Sequence, residues 1–120
     1  MLNALNRIEN PKPYYSSFPQ ALSIAESRMN WAQTSDGLRI YLTGILTNQS
    51  PVAWRDIEFD CRFYDAKRVM VDAANGHARL TIQPNDDAAF RVVVIPGCET
   101  NAYHSYKLSV STARNTKSWF

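Results

Sequence analysis

The residues able to do chemistry in this chain are few, and their spacing is poor for it. Two cysteines, Cys61 and Cys98, are too far apart for a Cys-x-x-Cys metal or redox motif. Two histidines, His77 and His104, have no carboxylate or thiol at ligand spacing. His104-Ser105 reads as base and nucleophile only if both point to one side, which strand alternation forbids. Asp86-Asp87 and Glu58/Asp60 resemble paired carboxylates, yet a solvated loop and a solvated sheet face account for them more simply. With four glycines scattered from Gly37 to Gly97, no phosphate-cradling loop exists. The expectation is therefore no catalytic residue, no metal site and no cofactor.

The elements that must carry these residues follow a period of two. In residues 38–47, Leu38, Ile40, Leu42, Gly44 and Leu46 share one face; Arg39, Tyr41, Thr43 and Thr47 share the other, with Ile45 out of step. Asn48, Ser50 and Pro51 form a polar break. Ile57, Phe59, Cys61 and Phe63 then alternate with Glu58, Asp60, Arg62 and Tyr64, which is a half-buried strand. Further short strands are predicted over residues 68–73, 77–82, 89–95 and 105–111. Residues 18–37 are ambiguous: Leu22, Ala25, Met29 and Ala32 have helical spacing, but Ser35-Asp36-Gly37 is a good hairpin turn, so a strand paired with the Leu38 strand is favoured. Seven or eight short strands with regular breaks predict an all-β antiparallel sandwich, sealed by Leu42, Phe59, Phe90 and Leu108.

The chain's 120 residues suit one domain, divided as a tail or linker over 1–20 and a sandwich over 21–120. An apolar share of 45% and a charged share of 20% exclude wholesale disorder. Thirteen basic against eleven acidic residues give a charge of +2, and Lys67-Arg68 is the longest basic run, so nucleic acid is not an expected partner. No apolar window is long enough to span a bilayer. Residues 1–20 are polar and punctuated by Pro11, Pro13 and Pro19, with Tyr14 and Tyr15 of the type that favours a bilayer interface. They read as a juxtamembrane spacer, placing the domain on the outer side of a membrane; if Met1 is a native start, the expectation is cytoplasmic.

With the strands laid out, Gly44, Leu46 and Asn48, then Phe63-Tyr64-Asp65, then Pro84 and Phe90 in a polar loop, resemble the motifs of the FxLYD family over residues 22–113. The resemblance implies a seven-stranded immunoglobulin-like sandwich of the bacterial envelope with no established activity and no catalytic residue to carry over. Two departures stand out. The family's glycine after the Tyr-Asp turn is missing from "DAKRVM", so that turn must tolerate side chains; and Asn85 replaces the loop glycine after Pro84.

Several residues have a structural reading beside a functional one. Gly44 is expected beneath an aromatic of the facing sheet rather than beneath a ligand. Asn48 opens an Asn-Gln-Ser sequon, but reads better as a turn former. Cys61 and Cys98 are either a core residue and a loop thiol, or a disulfide worth roughly 3–4 kcal/mol in an oxidising compartment. Trp31 and Trp54 are expected to plug the ends of the sandwich. Tyr41, Tyr64, Trp119 and Phe120 are the candidate interaction surface, with Tyr103 also expected partly outside the core. The expected function is a non-enzymatic module contacting another envelope protein. The alternative is a sandwich that binds a small molecule or carbohydrate.

Overall fold

The computed structural model describes residues 15–18 and 20–116. Six strands alternate with tight turns: β1 (Leu22–Thr34), β2 (Gly37–Asn48), β3 (Trp54–Tyr64), β4 (Met70–Ile82), β5 (Asp87–Val94) and β6 (Ser105–Asn115). They form two antiparallel three-stranded sheets, ordered β1-β2-β5 and β4-β3-β6. The all-β, sandwich-like expectation holds, but with six strands among the described residues instead of seven or eight. The ambiguous segment is β1, paired with β2 from Leu22↔Asn48 to Thr34↔Gly37.

The difference in count comes from β4. Residues 68–73 and 77–82 were expected as separate strands. The chain runs straight through instead, with Gly76 opposite Phe59. A Cβ at Gly76 would collide with Val92 of the other sheet. Glycine is there so that the two sheets can touch, not so that the chain can turn.

The core is what alternation demands. Ile40, Leu42 and Leu46 of β2 meet Ile57, Phe59, Cys61 and Phe63 of β3, all fully buried. Phe59 and Phe90 stack with ring centroids 4.8 Å apart. Each such side chain stabilises the fold by about 2 kcal/mol on burial. Leu108 is only partly buried and packs at the margin. Phe90 is also the aromatic over Gly44, but it is Gly44's cross-strand partner in β5, not a residue of the facing sheet.

Each end of the sandwich is plugged by a tryptophan. Trp54 is fully buried at one end, edge-on to Tyr15 at 5.2 Å and to Phe18 at 6.1 Å. Tyr15 therefore belongs to the packed domain rather than to a bilayer interface, and the described end of the expected tail, residues 15–18, packs on the core. At the other end Trp31 packs edge-on against Tyr103, which also meets Phe63. Tyr103 is buried, contrary to expectation, because the loop before β6 folds over the end of the sheets. No helix among the described residues is long and apolar enough to cross a membrane.

Candidate functional site

The polar residues divide into those spent on structure and those left on a surface. Asn48 is fully buried and spent. Its amide nitrogen donates to the carbonyls of Val52 at 2.8 Å, Gln83 at 3.0 Å and Ile82 at 3.3 Å. Its oxygen accepts from the Ser50 amide and hydroxyl at 3.0 and 2.8 Å, and Ser50 Oγ in turn accepts from Trp54 Nε1 at 3.0 Å. The sequon asparagine thus joins three chain segments and presents nothing to a glycosylating enzyme.

At the opposite end, Asp72 faces inward from β4 and holds the loop before β6. Tyr103 Oη donates to Asp72 Oδ2 at 2.5 Å, and the Gly97 amide donates to the same oxygen at 2.9 Å. Tyr103 Oη also accepts from the Gly97 and Cys98 amides at 3.0 and 3.1 Å. Burial pulls the Asp72 carboxyl upward, but the Tyr103 hydroxyl and the Gly97 and Ala73 amides outweigh it, so its pKa falls below the usual 3.8. Burial, reinforced by the Asp72 contact, pushes the Tyr103 phenol up to about 12. The sequence carried no signal for this pair, which the chain brings together from 31 positions apart.

The two cysteines are separate free thiols here. Cys61 points into the core, where burial and then the neighbouring Asp60 charge push its pKa to about 11, far from a reactive thiolate. Cys98 is exposed, with Sγ donating to the Val71 carbonyl at 3.4 Å. His77 Nε2 does approach Asp56 Oδ1 at 3.9 Å, across a bulge where Asp56 takes a left-handed φ of 50°, but Asp56 also pairs with Arg55 at 3.1 Å. No group of three metal-ligating side chains exists among the described residues.

The expected interaction residues fall on different faces. Tyr41 lies on the outer face of β1-β2-β5, with the Arg91 guanidinium 5.1 Å from its ring centre. Tyr64 lies on the outer face of β4-β3-β6, since its neighbour Phe63 points into the core. Trp119 and Phe120, with Tyr14, lie outside the described residues.

Around Tyr64 the sheet forms two adjoining open clefts of about 400 Å³ each, which share Lys107. One runs past Asp60, Arg62 and Ser109; the other past Tyr64, Arg68 and Ser105. The β3–β6 register sets Arg62 directly opposite Lys107, and Tyr64 opposite Ser105. Arg62 is satisfied along its own strand by Asp60, Nε to Oδ2 at 2.9 Å. Lys107 and Arg68 have no ion-pair partner among the described residues.

Arg68 stands at the turn whose missing glycine marked the sequence. The Asp65 carbonyl accepts from the Arg68 amide at 3.0 Å, and Asp65 Oδ1 accepts from the Lys67 and Val69 amides at 2.8 and 2.9 Å. The turn closes as expected of one that tolerates side chains, yet its last residue is left-handed: Arg68 has φ 66°. Asn85 likewise takes φ 57° in the loop where asparagine replaces glycine. Arg68 and Lys107 were missed in the sequence, since only the register and the turn bring them beside Tyr64.

No family model matches the chain, and no curated protein does. The FxLYD resemblance is not carried further by these comparisons. Among solved structures, the chain is similar to a crystal structure of a DUF1425 family member from Shewanella sp. pv-4. The identity is 13% and the TM-score 0.42, with 78% of this chain and 79% of that chain covered. A likeness at that level transfers no function.

Proposed function

We propose that this chain is a non-catalytic, immunoglobulin-like interaction module of the bacterial cell envelope, held on the outer side of the cytoplasmic membrane and contacting another envelope protein. One observation carries the reading. The polar groups best suited to chemistry, Asn48, Asp72 and Tyr103, are consumed in bonds that tie loops to the sheets, while both outer sheet faces keep aromatic and charged side chains available. The polar, proline-punctuated composition of residues 1–20 supports the tethered placement. The partner contact is assigned to the Tyr41 face and the adjoining edge strand β1, which offers a free row of backbone groups.

Photo-crosslinking residues placed at Tyr41 and at its exposed cross-strand neighbour Asn30 test this in cells. A specific envelope-protein adduct from both positions is the expected result. No adduct from either, with or without residues 117–120, counts against the reading. The second reading, a sandwich that binds a small molecule or carbohydrate, is favoured by the cleft at Tyr64.

A further inference from the structure

We infer that the cleft at Tyr64 binds a sugar ring bearing an anionic group, the ring lying on Tyr64 and the anion held between Lys107 and Arg68. This rests on the reading of the chain as a binding module and not a catalyst.

Three independent features converge on the cleft. The first is the rung Arg62↔Lys107. Like charges directly opposite on a sheet face destabilise the pairing, and here only Arg62 has a compensating carboxylate, Asp60. Lys107 is left with a repelling neighbour and no counter-ion among the described residues. A bound anion would relieve it.

The second is Arg68. A left-handed backbone is unfavourable for any residue with a Cβ, and glycine would relax the turn. An arginine held there with its side chain lining the cleft fits a residue kept for what it reaches. Asp65, three residues back, gives its Oδ1 to the Lys67 and Val69 amides and makes no ion pair with Arg68.

The third is Tyr64 itself, one strand position pair along from Arg62, roughly 7 Å at the usual strand rise. Its counterpart on the other face, Tyr41, already has a cation, Arg91, 5.1 Å from its ring centre; no cation stands over Tyr64 among the described residues. An open aromatic face stacks against the C–H face of a sugar, and the Ser105 hydroxyl opposite can bond a ring hydroxyl. The two clefts are open and follow one another along β3 and β6 through Lys107, which suits an extended oligomer better than an enclosed metabolite. One half-buried ring and one cationic rung are too little to track a nucleic acid strand.

Titration calorimetry on the full chain at low salt tests the assignment with four probes: a galacturonic acid oligomer, a neutral galactose oligomer of the same length, tripolyphosphate, and an oligoglutamate peptide. The uronate oligomer should bind at least about tenfold tighter than the neutral one. Tyr64→Ala and Lys107→Ala should each weaken it about tenfold, while Arg91→Ala on the other face changes nothing. Arg68→Gly should weaken binding while raising the melting temperature, which separates loss of the ligand contact from loss of the fold. Absence of uronate binding, or oligoglutamate binding as tight as the uronate, overturns the inference. So does tripolyphosphate binding as tightly as the uronate with Tyr64→Ala without effect, because charge alone would then explain the surface. Crosslinks from Tyr41 that persist alongside such a failure leave the interaction-module reading standing and sink only this one.

Discussion

The two ends of the sandwich solve one problem with opposite chemistry. At both, an aromatic plug leaves loop backbone groups to be satisfied. The Trp54 end uses a neutral amide: Asn48 serves three carbonyls and is itself held by Ser50. The Tyr103 end uses a carboxylate: Asp72 receives a phenol and two amides. A buried amide carries no titration, so it secures its end at every pH. A carboxylate makes stronger bonds but only while ionised. The lesson is that one lid is permanent and the other is conditional.

The largest expected effect comes from breaking the permanent lid. Asn48→Ala takes this partner from the Val52, Ile82 and Gln83 carbonyls and from the Ser50 amide, so a loss of about 3 kcal/mol or more is expected in urea denaturation. The loss should not vary between pH 3 and 9, which are conditions of the assay. Next is the contact that sets the spacing of the sheets: Gly76→Ala drives a methyl into Val92, for about 1–3 kcal/mol. The loss should shrink in a Val92→Ala background, as a double-mutant cycle would read.

The conditional lid responds differently. Tyr103→Phe removes a bond to a charged group, for about 2 kcal/mol at neutral pH. The pH signs follow from linkage. The folded Asp72 pKa is depressed, so its contribution is present above the ordinary value of 3.8 and is lost as pH falls through the folded value. The Tyr103 pKa is raised, so its contribution is present below the ordinary 10.0 and is lost as pH climbs toward about 12. Tyr103→Phe should therefore reduce both the acid sensitivity and the alkaline slope, the raised Cys61 and Tyr15 pKa values keeping a share of the latter. Equal pH profiles in both proteins would refute the contrast between the ends. The smallest effect runs the other way: Arg68→Gly should stabilise by about 1 kcal/mol, by relaxing a left-handed residue that bonds to neither lid.

How much of this the amino-acid order discloses depends on the range of the interaction. Alternation over residues 38–48 and 57–64 was legible because a half-buried strand writes its burial into every second residue, and the structure buries Ile40, Leu42, Leu46, Phe59 and Phe63 accordingly. Gly37 and Asn85 were legible as left-handed positions because backbone geometry is a property of single residues. Gly76 is the reverse case: a glycine locally weakens a strand, while its use here is set by Val92 in another sheet. The Asp72–Tyr103 clamp and the Arg62–Lys107 rung were invisible, since both depend on which strand lies beside which. The aromatic pair Tyr41 and Tyr64 was correctly expected on outer faces, but parity cannot say that those faces look in opposite directions.

Gly76 has one more consequence. Where it meets Val92, β4 and β5 are drawn together by bare packing, while at the opposite margin the partly buried Ile24, Met29, Leu108 and Val110 of β1 and β6 are joined by a hydroxyl pair, Ser27 Oγ to Tyr106 Oη at 2.7 Å. The two long sides are thus closed by different means, one by backbone lying close under a side chain and the other with a polar link, and amide exchange in β1 and β6 faster than in β4 and β5 is the expected consequence.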